Sequence, residues 1–149
     1  MPPTVTPDVN LLVAASRNDH VHHHIARDWF TEAVKASAAG TRLRLMPLVP
    51  ASFLRIVTNH RIFAMPMPIG DGLAFIDALL ASPGVELATL GPEWPLMRQL
   101  CLDKQLAGNA LPDAWLAAAV IQQGEHLVTF DSDFRKLLPR NRLTVLATT

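Results

Sequence analysis

Two aspartates, one residue apart, follow an apolar run near the carboxyl end of the chain. In "HLVTFDSDF", from His126 to Phe134, Asp131 and Asp133 come directly after a segment that is typical of a buried strand. A third aspartate, Asp8, follows the short β-branched stretch near the start of the chain. Carboxylates just after strands are either ordinary turn residues or ligands of a cation, and the second role requires several of them to converge.

The order of the apolar segments predicts where these strand ends lie. Strand-like and helix-like periodicities alternate as β-α-α-β-α-α-β-α-α-β-β. Strands joined by long helical connections pair in parallel, so we expect an α/β fold with three layers, α/β/α, around a central, mainly parallel sheet of four to five strands. Ligands of such sheets bind beyond the carboxyl ends of the strands, and this rule brings Asp8, Asp131 and Asp133 to one edge.

Another segment carries an aspartate that can reach the same edge. In "GNALPDAW", Pro112 favours the start of a helix and places Asp113 in its first turn. An acid there also complements the helix dipole by about 0.3–1 kcal/mol, so each aspartate taken alone has a structural explanation. Together, carboxylates at the edge of a core repel one another unless a cation binds or protons are taken up. A set of oxygen ligands suits Mg²⁺ or Mn²⁺ rather than Zn²⁺.

Composition narrows the class of protein. The chain has 149 residues, half of them apolar, which fits one domain with a full core. Its formal net charge is zero, with 13 basic and 13 acidic residues, unlike a general nucleic-acid binder. The single cysteine rules out an internal disulfide, and we recognise neither a signal peptide nor an apolar run of membrane-spanning length. We therefore expect a cytoplasmic protein without membrane association.

Four stretches of the chain together resemble the PIN-domain ribonucleases, and specifically the VapC-type toxins of bacterial toxin–antitoxin pairs. They are "PDVNLLVAASRNDHVHHHIARDWF", "FLRIVTNHRIF", "GNALPDAWLAAAVIQQG" and "LVTFDSDFRKL". Since they are spread over nearly the whole chain, we expect a single PIN domain over residues 1–149. The resemblance implies the toxin of a type II toxin–antitoxin pair, a metal-dependent endoribonuclease that hydrolyses RNA phosphodiesters with a metal-activated water.

The resemblance also implies a role for each acidic position. Asp8, Asp113 and Asp131 match the family's catalytic acids, which hold one or two Mg²⁺ or Mn²⁺ ions. Asn10 matches a polar residue that supports the first acid. We expect Asp133 to act as a weaker fourth metal ligand, because it lies two positions from Asp131.

One position departs from the family's pattern. PIN domains usually carry a glutamate on the helix after the second strand, and the matching residue here is Ser52, in "VPASFLRIV". We expect Pro50 to open this helix. Ser52 could take a metal-bound water, or its hydroxyl could cap the helix. The missing carboxylate leaves two alternatives: a working nuclease in which Asp133 partly compensates, or a degenerate PIN domain that binds RNA or an antitoxin without efficient catalysis.

Basic and apolar residues suggest the partners. Arg55, Arg61 and Arg135 are candidates for contact with RNA phosphates, and surface ion pairs are the alternative for each. The resemblance implies a cognate VapB-type antitoxin, and such partners commonly lay an amphipathic segment into an apolar groove. We also expect a homodimer, although the same apolar surface could belong to the core.

Two other interpretations are weaker. A phosphoacceptor receiver domain is also a small α/β unit with acids at the sheet edge, but it needs paired acids after the first strand and a lysine after the last. "VTPDVN" has one acid and no lysine follows "LTVLA". The histidines of "DHVHHHIARDWF" lack the glutamate of a zincin-type motif, so we interpret them as exposed residues at a helix start.

Overall fold

The computed structural model describes residues 4–89, 91, 93–108 and 110–148. The strands are β1 (Val5–Pro7), β2 (Leu43–Leu45), β3 (Val85–Leu87), β4 (His126–Thr129) and β5 (Leu143–Val145). The helices are α1 (Val9–Ser16), α2 (His23–Ala38), α3 (Leu48–Val57), α4 (Ile69–Leu80), α5 (Trp94–Lys104) and α6 (Ala110–Gln122). Two short 3₁₀ helices, Ser132–Lys136 and Arg140–Arg142, connect β4 to β5. This order of elements matches the one that the sequence periodicity predicts.

All five strands pair in parallel, in the order β3-β2-β1-β4-β5. From β1 the chain moves outward to β2 and β3, and then returns to the other side of β1 to form β4. The direction of strand addition therefore reverses between β1 and β4, and this reversal opens a crevice at the carboxyl ends of these two strands. The predicted three-layer α/β/α fold with a mainly parallel sheet is confirmed.

The core forms because the strands are short and apolar and the helices cover them. Leu43, Leu45 and Leu127 are fully buried in the sheet. The middle of helix α6 is buried, which explains its run of small and apolar residues, Leu116 to Val120. Helix α1 packs against α2 and α3, whereas α5 and α6 pack against each other. In the described part of the chain, no helix is long and apolar enough to cross a membrane.

Local hydrogen bonds fix the elements that carry the site. The N–H of Asp8 donates to the carbonyl oxygen of Val128 at 2.8 Å, which ties the end of β1 to the neighbouring β4. At the end of α6, Gly124 adopts a φ of 67°, a conformation that favours glycine, and the N–H of Glu125 returns to the carbonyl of Val120. β1 and β4 pair with Val5 opposite His126 and Pro7 opposite Val128, which brings the ends of the two strands side by side.

The start of α3 corrects one expectation about Ser52. The helix begins at Leu48, so Ser52 is its fifth residue and lies inside the helix. The N-terminal flanking residue is Pro47, which forms no side-chain capping bond. The interpretation of Ser52 as a helix cap is therefore wrong, because the helix begins two residues earlier than Pro50 suggested.

Candidate metal centre

Asp8 is a buried carboxylate held by two hydrogen bonds. Its Oδ1 accepts the N–H of Val9 at 2.7 Å, which caps helix α1, and its Oδ2 accepts the hydroxyl of Thr129 at 2.7 Å. Burial raises the pKa of Asp8 above its usual value, although both hydrogen bonds act to lower it. Asp131 adds to the rise by charge repulsion. The side chain is thus fixed in position and electrostatically strained.

Thr129, the last residue of β4, links three residues of the site. Besides donating to Asp8, its hydroxyl oxygen accepts the N–H of Asp131 at 3.0 Å and the side-chain amide of Asn10 at 3.2 Å. The amide oxygen of Asn10 in turn accepts the N–H of Phe130 at 3.4 Å. Our sequence interpretation missed Thr129. The available signal was a hydroxyl at the end of a strand, two positions before an acid.

Asp131 and Asp133 form the turn that follows β4. Oδ1 of Asp131 accepts the N–H of Asp133 at 2.9 Å and so caps the 3₁₀ helix Ser132–Lys136. Asp133 is exposed in the first turn of that helix. Both therefore have the structural roles of turn acids, and neither role consumes all of the carboxylate oxygens.

The pKa of Asp113 is raised in part by the charges of the other three acids. Asp113 lies in the first turn of α6, as predicted. Partial burial, followed by the charges of Asp8, Asp131 and Asp133, raises the pKa of Asp113 to about 6. Carboxylates that repel one another in this way either bind protons or attract a cation. The acids of three separated chain segments thus form one electrostatic unit at the crevice between β1 and β4.

A cavity of about 440 Å³ opens at this unit. It is lined by Asp113, Asp131, Asp133, Lys104, Lys136 and the apolar residues Leu106, Ala110 and Leu137. Lys104, at the end of α5, was not predicted, because nothing in its local sequence connects it to the acids. The two lysines place positive charge beside an acidic floor, an arrangement that suits a phosphodiester bound with a cation.

The arginines predicted to contact RNA lie elsewhere on the surface. Arg55, Arg61 and Arg135 are exposed, and none of them lines the acidic cavity. Arg135 lines a separate cavity beside β5, together with Arg140 and Leu143. Their contact with RNA stays a prediction.

The donor set fits a hard divalent cation with retained water. All four acids offer oxygen atoms, the ligands that Mg²⁺ and Mn²⁺ prefer. Within the described residues, no three Asp, Glu, His or Cys side chains are grouped closely enough to hold one ion by themselves. Mg²⁺ usually keeps several waters and binds directly to one or two carboxylates, so this spacing suits an ion that is bridged partly by water.

The comparisons with known proteins agree with the fold. The PIN domain family model matches residues 5–137, and the chain belongs to this family. It is 39% identical to Ribonuclease VapC25 of Mycobacterium tuberculosis over 130 residues, and this aligned region covers 87% of this chain and 89% of that protein. Ribonuclease VapC31 of the same organism is 38% identical over the same shares of the two chains. The predicted resemblance to VapC-type PIN-domain ribonucleases is confirmed.

Two solved structures share the fold at low sequence identity. VapBC2 from Rickettsia felis, bound to a DNA fragment from its promoter, superposes with a TM-score of 0.67 at 16% identity and covers 95% of this chain and 98% of that chain. Mycobacterium tuberculosis VapC20, a sarcin-ricin loop cleaving toxin, gives a TM-score of 0.60 at 14% identity over 89% and 93% of the two chains.

Proposed function

We propose that this chain is the toxin of a type II toxin–antitoxin pair and an endoribonuclease that depends on Mg²⁺ or Mn²⁺. The observation that carries the proposal is the convergence of aspartates from three chain segments: Asp113 and Asp131 line one cavity, and the hydroxyl of Thr129 joins Asp8 to Asp131. The names of the VapC relatives supply the reaction class, hydrolysis of RNA. We also propose that the chain is a single PIN domain over residues 1–149.

We assign the acids as ligands of the metal ion. Asp8, Asp113 and Asp131 would hold the cation, with Asp133 as a weaker fourth ligand. Once bound, the ion would lower the pKa of a water molecule and stabilise charge on the phosphate oxygens. Asp8 is already immobilised by hydrogen bonds from Val9 and Thr129, so it loses little conformational freedom when it binds an ion.

Supporting residues orient the acids and attract the substrate. Asn10 holds the hydroxyl of Thr129 and the backbone after it, and so keeps the ends of β1 and β4 together. Lys104 and Lys136 are suited to receive the RNA backbone because they line the acidic cavity. Arg55, Arg61 and Arg135 are proposed as weaker contacts further along the RNA.

An antitoxin partner has a suitable surface. A groove of about 450 Å³ lies mainly between α2 and α4, with an apolar floor that includes Phe30, Val34 and Phe75 and with Arg27 and Lys35 among its lining residues. An amphipathic segment of a VapB-type antitoxin fits such a groove. We propose that this partner neutralises the toxin, that the toxin is a homodimer, and that both proteins act in the cytoplasm, where RNA is available.

The test is cleavage of a single-stranded RNA by Asp8→Asn, which keeps the shape of the side chain and removes its charge. We expect the rate in Mg²⁺ or Mn²⁺ to fall by at least about 100-fold, and expression of the variant to stop arresting growth. The matched control is Asp77→Asn on the exposed face of α4, which should behave like the parent. Equal cleavage by the Asp8 variant and the parent would refute the proposal.

A second candidate is a degenerate PIN domain that binds RNA or an antitoxin without cutting. Ser52 at the glutamate position and the absence of a compact three-ligand group among the described residues favour it. Titration of Mn²⁺ into the metal-free protein separates the two candidates, because the degenerate domain should bind the ion weakly or not at all.

A further inference from the structure

A further, apolar cavity is lined by Asn10, the residue that binds Thr129 at the metal centre. Its volume is about 340 Å³, and α1, α3 and the segments after them form its walls. The lining residues are Val9, Asn10, Val13, His20, Ile56, Ile62 and Phe63. Asn10 and His20 are its polar members, so the cavity combines apolar walls with groups that can form hydrogen bonds.

Two residues of this cavity, Val9 and Asn10, also form hydrogen bonds that hold the metal centre. Val9 and Asn10 are the two residues after Asp8, and the N–H of Val9 donates to the carboxylate of Asp8. The side-chain amide of Asn10 binds the hydroxyl of Thr129. A ligand in this cavity would therefore touch the residues that orient the acids, and a polymer held at the acids could reach it.

A row of aromatic rings leads from the acids to the cavity. Phe130 stands between Thr129 and Asp131 in the chain, and its ring lies 5.1 Å from that of His22, centroid to centroid. The ring of His22 lies 5.7 Å from that of His20, which lines the cavity. Unpaired RNA bases stack on aromatic side chains of this kind, at about 1–3 kcal/mol per base.

The hydrogen bonds of His20 define what it can offer a ligand. The backbone N–H of His22 donates to Nδ1 of His20 at 3.0 Å, so Nδ1 is an acceptor. Burial and the neighbouring His22 lower the pKa of His20, which favours the neutral ring with its proton on Nε2. His20 thus has one N–H donor suited to a carbonyl oxygen or ring nitrogen of a nucleobase.

Phe63 lines the same cavity, and Arg17 holds its ring in place. The guanidinium carbon of Arg17 lies 3.8 Å from the centroid of its ring, and Arg17 is itself held by Asp19 and by the carbonyl oxygen of Met65. A rigid ring needs little ordering when it stacks against a ligand. The fixed wall therefore favours a flat, rigid occupant.

The surface around the cavity favours an anionic polymer. Arg55 precedes the lining residue Ile56, and Arg61 precedes the lining residue Ile62. Both arginines are exposed, and neither forms an ion pair with another described residue. Apolar walls that include an aromatic ring and a hydrogen-bond donor, with an unpaired arginine next in the chain to each of two lining residues, match an RNA strand better than they match an apolar peptide segment.

We propose that this cavity binds one unpaired base of the RNA, close to the phosphate that is cleaved, and thereby selects the cleavage site. The proposal deepens the proposed function and rests on it. The sugar–phosphate backbone would pass from the acidic cavity over Asn10, with neighbouring bases along the row of Phe130, His22 and His20.

The experiment combines a change in the protein with a change in the RNA. A single-stranded RNA that the parent cleaves is compared with copies in which one nucleotide at a time is made abasic. In the parent, one abasic position next to the cleaved bond should lower kcat/KM by about 10-fold or more. Ile62→Ala and Phe63→Leu should shrink that penalty several-fold.

The matched control is Ile69→Ala on α4. Ile69 and Ile62 are the same residue type with similar exposure, 56% and 51%, but Ile69 does not line the cavity. The control should keep the full abasic penalty. Ile62 is exposed, so its alanine variant should fold even if Phe63→Leu does not.

Two results would overturn the proposal: a parent that is indifferent to every abasic position, or a penalty that is unchanged in Ile62→Ala. A change of oligomeric state in Ile62→Ala, measured by light scattering, with the penalty intact would identify the cavity as an interface between copies. Binding of the same RNAs, labelled and titrated with the protein in the absence of divalent ions, tests the base site separately from cleavage. A parent that cuts nothing refutes the nuclease, while loss of affinity at one abasic position in the parent, but not in Ile62→Ala, would still support the base site.

Discussion

The hydroxyl of Thr129 donates a 2.7 Å hydrogen bond to Oδ2 of Asp8, so that the last residue of β4 orients the acid that follows β1. The same oxygen accepts the N–H of Asp131. One side chain therefore fixes carboxylates from two different strands relative to each other. Thr129 is fully buried and Asp8 nearly so, which makes the bond hard to replace with water.

Replacement of Thr129 by valine should weaken both the fold and the metal centre. Valine keeps the shape but leaves Oδ2 of Asp8 and the N–H of Asp131 without their partner. We expect the free energy of unfolding to fall by about 1–3 kcal/mol in urea titrations, together with weaker Mn²⁺ binding. Thr129→Ser, which keeps the hydroxyl, should retain most of both properties.

Thr6 offers a matched control in the neighbouring strand. It is also a fully buried threonine, but its hydroxyl has no hydrogen-bond partner within the described residues. Thr6→Val should therefore leave stability within about 0.5 kcal/mol of the parent or increase it, because it removes an unpaired polar group. If both valine variants lost the same stability, the Thr129 network would not be the cause.

The acids could be predicted from the sequence, whereas their supports could not. Asp8, Asp113 and Asp131 each follow a local rule, a strand end or a first helical turn. Thr129 and Lys104 obey no such rule. Their role depends on the register of β1 against β4 and on where α5 ends relative to α6, which are long-range consequences of packing. The start of α3 was misjudged because Pro50 is also tolerated inside the first turn.

The raised pKa of Asp113 predicts how stability of the metal-free protein depends on pH. Its pKa in the fold, about 6, exceeds the ordinary aspartate pKa of 3.8 that applies to the unfolded chain. The protonated form is thus favoured by folding, and this contribution is complete below pH 3.8 and is lost as pH rises through about 6. Partial exposure limits the loss to roughly 1 kcal/mol.

The measurement compares Asp113→Asn with the parent in the absence of metal. The unfolding free energy of the variant, relative to that of the parent, should rise by roughly 1 kcal/mol between pH 4 and pH 7.5. Addition of Mg²⁺ at pH 7.5 should stabilise the parent more than the variant, because only the parent gains the ligand. A constant difference across this pH range would contradict the electrostatic coupling of the acids.

At the opposite edge of the sheet, a buried ion pair should contribute to the stability of the fold but not to metal binding. Nη1 of Arg44 lies 2.7 Å from Oε1 of Glu125, which is fully buried and also accepts the hydroxyl of Thr4. The pair crosses over β1 and joins β2 to the start of β4. Arg44→Met would leave the Glu125 charge buried without its partner, so we expect a loss of about 3 kcal/mol in urea unfolding.

Arg42→Met is the control for that change. Arg42 forms an exposed pair with Glu86 at 3.5 Å, and such pairs contribute little, so its loss should stay below about 1 kcal/mol. Because the Arg44 pair lies away from the acids, the folded fraction of the Arg44 variant should keep its affinity for Mn²⁺. Weakened ion binding in fully folded Arg44→Met would show that the two edges of the sheet are coupled.

Ser52→Glu tests whether the missing family glutamate limits the metal centre. Helix α3 follows β2, the strand beside β1, so its first turns lie at the sheet edge that carries Asp8. Ser52 is partly buried, whereas its neighbour Ala51 is exposed. A carboxylate at position 52 adds an oxygen ligand, and we expect the Kd for Mn²⁺ to fall about 10-fold and RNA cleavage to accelerate.

Ala51→Glu adds the same charge on the solvent side and should change neither quantity by more than about 2-fold, since exposed charges are screened. Equal effects of the two variants would mean that position 52 does not reach the ion. A tighter Kd without faster cleavage would instead favour the degenerate domain, because metal affinity would then not be what limits catalysis.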